Sequence, residues 1–427
     1  MGLRRRKLFF HEGHDLIFYR KEAALNKLTL GVIGTSKKED ERRVPIHPAH
    51  LSRIPEQIRR QLIFEEGYGA PFNISDSEIA AQTGGLASRQ QLLTQLGTVL
   101  IVKPVLADLV ALREGGTMWG YAHCVQQQDI TQAAIERKQT LIALEDMYSW
   151  GPNKQQGLHT FYKNNEMAGY CAVLHALQLK GIDGHYGGQR KTLVFGFGAV
   201  SRGAIYALQA HGFRDITICV QRPQHQVREE VLGCQYVQVR SGNKGEARMM
   251  VVEPDSTTRA LTELISESDI IVNGVLQPTD NPVNFVTVAE GNCLKPNSLI
   301  IDVSCDEGMG FFFAKPTSFK RPMFKYGTTD YYAVDHTPSY LWDSASRAIS
   351  AALIDYLPTV VGGQDRWQHN ETIRRAINID GGVVLNSAIL SFQQRSAFYP
   401  HIRLNTADNK TLGHKIPASR YDVRTSS

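Results

Sequence analysis

KTLVFGFGAVSRGAIYALQAHG, residues 191–212, is the stretch from which the rest of the chain is read. Residues 192–195 form a short apolar run of strand type, and Gly196, Phe197 and Gly198 follow it at once. Val200, Ala204, Ile205 and Leu208 then recur at helical spacing, and Gly212 stands where such a helix stops. A strand, a tight glycine turn and a helix start form a cradle for a pyrophosphate. Glycine lets the backbone approach the phosphates, and the free N–H groups of the first helical turn attract negative charge. Gly196, Gly198, Ala199, Val200 and Gly203 are the cofactor-binding candidates here. Ser201 stands where the third glycine of a GxGxxG pattern would fall. An ordinary strand–turn–helix that bends at glycine fits the same residues.

The 427 residues give room for two to three domains with full cores. Hydrophobic residues make up 42% and charged residues 21%, the balance of a soluble globular protein. The net charge of +5 is small for this length and, apart from Arg4 to Lys7, scattered, so it does not demand nucleic acid. The basic run at Arg4 to Lys7 precedes charged and polar residues and lacks the apolar core of a secretory signal. No stretch reaches the ~20 apolar residues of a membrane span. Six cysteines stand singly, without metal or disulfide spacing. The expectation is a reduced, cytoplasmic enzyme with no metal, no membrane and no nucleic-acid partner.

Strand-like runs at 28–33, 98–104, 118–124 and 140–147 alternate with helical patterns. The alternation resumes after the glycine turn, with strands at 215–220, 269–273 and 298–303. This predicts an α/β fold with parallel sheets. An amphipathic helix is expected within RRVPIHPAHLSRI, a long one over 165–179, and another over 344–357 with Thr337 and Pro338 before it. In such sheets ligands sit beyond the carboxyl ends of strands. The polar residues there are Arg43, Lys103, His123, Glu145 and Asp306. Taken singly, a lysine that has left an apolar strand is only a surface residue; five such groups at strand ends mark a cleft.

ERRVPIHP, the Lys103 and His123 strands, NNEMAGY, the glycine turn and IIDVSCDEG follow one another in the order of the alanine dehydrogenase and saccharopine dehydrogenase superfamily, which residues 29–365 resemble. YAHC, the acidic LED and AVDHTPSYL resemble the lysine-forming saccharopine dehydrogenases; GFGAVSRGA, DIIVNGV and IIDVS are closer to N5-(carboxyethyl)ornithine synthase. The resemblance implies two Rossmann-like domains, the catalytic one interrupted by the nucleotide-binding one. The expected limits are an extension at 1–27, a catalytic domain at 28–165 and 344–404, a nucleotide domain at 166–343, and a disordered tail at 405–427. It also implies that Arg43 holds the carboxylate of a 2-oxo acid, Lys103 polarises the carbonyl, and His123 is the main acid–base, with Asp306 beside the nicotinamide. Glu145 and Glu166 are then candidates for the amino group of a second substrate, and Val275, Val303 and His336 for the cofactor site.

The second strand of the nucleotide unit runs into Gln221 and Arg222 with no carboxylate. NAD enzymes place Asp or Glu there for the ribose hydroxyls, whereas NADP enzymes place an arginine near a 2′-phosphate. NADP(H) is therefore favoured over NAD(H). The resulting expectation is reductive condensation of pyruvate or 2-oxoglutarate with an amino group of ornithine or lysine, in a chain for which a homodimer is an open arrangement. Two alternatives stand beside it: reductive amination with ammonia, as in alanine dehydrogenase, and a non-catalytic nucleotide-binding protein.

Overall fold

The computed structural model describes residues 28–404 except 228, 242–248, 254 and 278–281; the expected extension and tail lie outside the described residues. In chain order the first lobe holds β1 (Leu30–Ile33), β2 (Leu62–Glu65), β3 (Gly85–Ala87), β4 (Thr98–Ile101), β5 (Thr117–Gly120) and β6 (Thr140–Ala143). A hairpin, β7 (Tyr148–Trp150) and β8 (Gln156–His159), and the long helix α1 (Tyr162–Lys180) lead to the second lobe. That lobe opens with β9 (Thr192–Phe195), helix α2 (Ala199–Ala210), β10 (Ile216–Val220), β11 (Gln235–Ser241), β12 (Met249–Val252) and β13 (Thr258–Ala260). It continues with β14 (Ile270–Asn273), β15 (Asn284–Val286), β16 (Leu299–Asp302), β17 (Gly310–Phe311), β18 (Met323–Tyr326) and β19 (Thr329–Tyr332). Helix α3 (Trp342–Leu353) carries the chain back, and β20 (Ile377–Asp380) and β21 (Val383–Val384) rejoin the first sheet.

The first sheet has the order β21-β20-β6-β5-β4-β1-β2-β3 and the second β13-β12-β11-β10-β9-β14-β16-β19-β18. Their centres are parallel, as expected. The outer strands β20 and β21, β12 and β13, and β18 are antiparallel. Most of these edge pairs are joined by short turns, which only antiparallel neighbours permit. Each sheet buries both faces. Leu30, Val32 and Leu100 point into one apolar cluster while Ile33, Val99 and Ile101 point into another. In the second lobe Val194 and Ile218 face one cluster, and Leu193 and Phe195 the other. Each such Val, Leu or Ile contributes about 1.5–3 kcal/mol on burial, which is why the parallel strands read as unbroken apolar runs.

Helices α1 and α2 cross at backbone contact. A Cβ on Gly169 would lie 1.8 Å from the Val200 carbonyl oxygen, and one on Gly203 would lie 1.7 Å from that of Glu166. Gly203, expected at the cofactor, thus serves helix packing. The same contact fixes where α2 begins, and with it the glycine turn. Two local expectations are also corrected. The amphipathic helix expected after Arg43 is a six-residue 3-10 turn, Pro48–Arg53, capped by the His47 side chain. Thr337 does not cap a helix; its hydroxyl donates to the Ala168 carbonyl at 2.9 Å and ties this segment to α1.

Gly203→Ala should lower stability by about 2–3 kcal/mol, since overpacking outweighs alanine's better helix propensity. Gly198→Ala, whose added Cβ meets nothing within 4 Å, should leave the urea midpoint unchanged. Equal midpoints for the two variants would show that the helix crossing relaxes freely.

Candidate active site

The nucleotide end is built on the turn between β9 and α2. Gly196 has φ +82, a conformation that L side chains rarely adopt, and a Cβ there would come within 3.0 Å of Val275. Gly198 precedes the 12-residue α2 and opens onto empty space. Ser201 is fully buried, and its hydroxyl donates to the Phe195 carbonyl at 3.0 Å. That bond pins α2 to the strand end, where the usual pattern has a third glycine. The turn floors a cleft of about 1020 Å³, which is also lined by Ala199, Val200, Gln221, Arg222 and Val275. Leu158 and His159 of the hairpin form its wall on the first lobe's side. The open helix start and the bare Gly198 fit a dinucleotide pyrophosphate.

Val303 and His336 do not line this cleft. Val303 donates its N–H to the Asn273 carbonyl at 2.9 Å. His336 is buried, bonded through Nδ1 to Asp335 at 2.6 Å and through Nε2 to the Glu39 carbonyl at 2.9 Å. Its geometry is that of a brace between the lobes.

A separate cluster of charged groups, none of them lining that cleft, comes from the loops after β1, β4, β5 and β6. Arg43 is buried and partly engaged: Nε and Nη2 donate to the two Glu41 oxygens, and Nη1 donates to Asn164 at 3.1 Å. Of its five N–H groups, two remain, one on each terminal nitrogen. Burial would raise the Glu41 carboxyl, but the Arg43 charge and hydrogen bonds from Arg43 and Ser339 hold it at about 2. Lys103 Nζ makes no hydrogen bond to a described residue. Burial pushes its pKa down against the pull of Asp335.

His123 sits just past β5 in a left-handed conformation, φ +46, which a non-glycine residue adopts only under local constraint. The constraint is visible: its N–H donates to Glu145 Oε1. Its imidazole has no hydrogen-bond partner among the described residues and stacks beside Tyr121. Burial and the Lys103 charge push its pKa well below the usual value. Glu145 is moved the other way, to about 8, by burial and by Asp146. Its Oε2 is buried and unpaired, as is the Tyr121 hydroxyl.

Asp306 enters from the second lobe. Burial raises its pKa, and its side chain has no partner among the described residues. Burial pushes the neighbouring Cys305 thiol well up, with Asp302, Asp335 and Asp306 adding to the rise and Lys103 opposing it. Glu166 is not part of this cluster. It pairs with Lys163 at 3.1 Å on the exposed side of α1.

Several members of the site carried no sequence signal. Asp335, held by Lys38 at 2.8 Å, acts on both Lys103 and His123 from across the cleft. Glu41, Tyr121 and Asn164 lie in the motifs around Arg43, His123 and α1, but nothing in their spacing singles them out. Among the described residues no cluster of His, Cys, Asp and Glu could hold a metal, and no helix is long and apolar enough to cross a membrane.

Two Rossmann-like lobes facing each other across an acid–base cluster define the class: an α/β oxidoreductase. The chain belongs to the alanine dehydrogenase/PNT family; residues 32–168 match its N-terminal domain and 175–387 its C-terminal domain. The N(5)-(carboxyethyl)ornithine synthase of Clostridium botulinum is 24% identical over 336 residues, 72% of this chain and 90% of that protein. The alanine dehydrogenase of Mycolicibacterium smegmatis is 23% identical over 366 residues, 84% of this chain and 95% of that one. A solved L-alanine dehydrogenase shares the fold, with a TM-score of 0.66 at 16% identity over 85% of this chain and 98% of that one. With its family established, the chain is an enzyme, and the reading as a non-catalytic nucleotide-binding protein is set aside.

Glu145 gives a pH dependence of definite sign. A carboxyl whose pKa is raised on folding holds its proton more tightly when folded, so its contribution is complete below the unfolded value of 4.5 and is lost as pH rises toward about 8. Glu145→Gln is neutral at every pH. Its urea midpoint, relative to the wild type, should therefore rise between about pH 5 and about pH 8.5. A constant difference across that range would mean that the Glu145 pKa is ordinary.

Proposed function

We propose that this enzyme uses NADP(H) to join a 2-oxo acid, pyruvate or 2-oxoglutarate, reductively to an amino group of an amino acid such as ornithine or lysine. The observation that carries the proposal is the set Arg43, Lys103, His123 and Glu145: four groups converging from one sheet, each with hydrogen-bonding capacity left over. Folding alone does not call for four groups with unfilled hydrogen-bonding capacity in one buried place.

Arg43 offers its two remaining N–H groups to the oxo-acid carboxylate, a planar match. Lys103 donates to the carbonyl oxygen, and its lowered pKa brings proton release nearer the working range. His123 is neutral at pH 7, so it can take the proton that the amine loses on attacking the carbonyl carbon. It returns that proton to the oxygen, which Lys103 has already protonated to a hydroxyl, and water leaves to give the protonated imine. A nicotinamide held at the glycine turn would supply the hydride that converts this C=N bond to a secondary amine. Glu145 Oε2 accepts a hydrogen bond from the incoming amino group. Asp306 faces the same space as a second proton-carrying group.

NADP(H) is supported by Arg222 in the cleft wall and by the lack of a carboxylate at the end of β10. The amino-acid amine is supported by the similarity to an N(5)-(carboxyethyl)ornithine synthase. A second reading, ammonia as the amine, is favoured by the alanine dehydrogenase that matches over more of the chain.

NADPH oxidation with each oxo acid against ornithine, lysine and ammonium, with products read by mass spectrometry, separates the two. Condensation gives a secondary amine that requires the amino acid; turnover with ammonium alone and a primary amino acid product gives the second reading. No turnover with any pair would remove both. His123→Ala should lower kcat by about 10²–10⁴-fold while leaving the dissociation constant for NADPH unchanged.

A further inference from the structure

We propose that Arg222 and Arg240 form a two-armed clamp for a phosphomonoester, the 2′-phosphate of NADP(H), at the adenosine end of the cleft; the assignment rests on the NADP(H) reading above. Both residues line the cleft. Parallel β10 and β11 pair from Thr217 with Gln235 to Val220 with Gln238; Arg222 follows two residues after the end of β10, and Arg240 lies two residues further along β11. The Gln238 side chain donates to the Gln221 carbonyl at 3.0 Å, holding the two chains together past the last strand pair.

Neither guanidinium makes an ion pair or a hydrogen bond to a described residue. Two like charges on the wall of one cleft repel each other. A phosphate between them replaces that repulsion with two attractions, and guanidinium offers the planar fork that phosphate oxygens fit. The third arginine of the cleft, Arg202, is differently engaged. It lies 3.9 Å over the Phe197 ring and donates to the Glu229 carbonyl at 3.0 Å, bracing the glycine turn. Among the described residues that line the cleft none is acidic, so none of these competes for the two arginines or accepts from a bare ribose 2′-hydroxyl as a carboxylate does.

Arg240 had no sequence signal, because it lies on an edgeward, half-polar strand some 18 residues after Arg222 in the chain. It reaches the same cleft as Arg222 only because β11 lies beside β10 in the sheet.

The test is a fluorescence titration of NADPH and NADH against the wild type, Arg222→Ala and Arg240→Ala. Each substitution should weaken NADPH binding by about 10- to 100-fold, the loss of a charge-assisted contact, and leave NADH binding within about twofold; retained NADH binding also shows that the variant is folded. Arg240→Ala with NADPH affinity intact, in a protein whose wild type still prefers NADPH, overturns the clamp and leaves the cofactor reading standing. A wild type that binds NADPH and NADH equally overturns the cofactor reading itself.

Discussion

The buried pair of Glu41 and Arg43 is the constraint on which the rest of the site depends. Burying either charge alone is prohibitive, and breaking such a pair costs about 3–5 kcal/mol. The pair is closed on the second-lobe side by Ser339, whose hydroxyl donates to Glu41 Oε1 at 2.6 Å, while Asn164 at the start of α1 holds the other end of the guanidinium. One ion pair therefore touches the loop after β1, the long connecting helix and the segment that returns from the second lobe. Lys38 with Asp335, and His336 with the Glu39 carbonyl, repeat the connection beside it. The lobes are registered against each other at the place where chemistry is proposed. The same pair also orients Arg43, so that the two N–H groups it leaves are fixed in direction before any carboxylate arrives.

The glycine turn is held by a comparable economy of contact. Gly203 and Gly169 let α1 and α2 meet backbone to backbone, and Ser201 ties α2 to the end of β9. Gly198 alone is left bare toward the cleft. Glycines of one short motif thus do different work, and only the neighbour that a Cβ would strike tells them apart.

That difference shows what a linear sequence can disclose. The fold was legible because parallel strands buried on both faces are unbroken apolar runs, and β4, β5, β9, β14 and β16 are such runs. Lys103 and His123 were legible because a polar residue directly after such a run stands at a strand's carboxyl end. Groups brought in by tertiary packing were not. Asn164 reaches Arg43 across 121 positions, and Ser339 reaches Glu41 across 298. Glu166 illustrates the opposite failure: it sits in a motif beside functional residues, but the helical period turns it to the exposed side of α1. His336 shows a third case, a residue in the right segment whose two ring nitrogens are both engaged in bracing the lobes.

Burial acts on the charged cluster in a single sense. It raises the carboxyls of Glu145 and Asp306 and lowers the bases Lys103 and His123, so each group moves toward the neutral form. Glu41 and Asp335 escape this only because each has strong partners, Arg43 and Ser339 for one, His336, Lys103 and Lys38 for the other. The site accordingly divides into fixed charges, which position, and groups drawn toward their neutral forms, of which Glu145 titrates at about 8. The cleft beside β10 and β11 differs: Arg222 and Arg240 are open to water, where charge is cheaply kept, and no acid is among the described residues that line it. Burial thus separates two kinds of charge in one protein: a cluster in which it drives groups to their neutral forms, and exposed arginines whose charge water sustains.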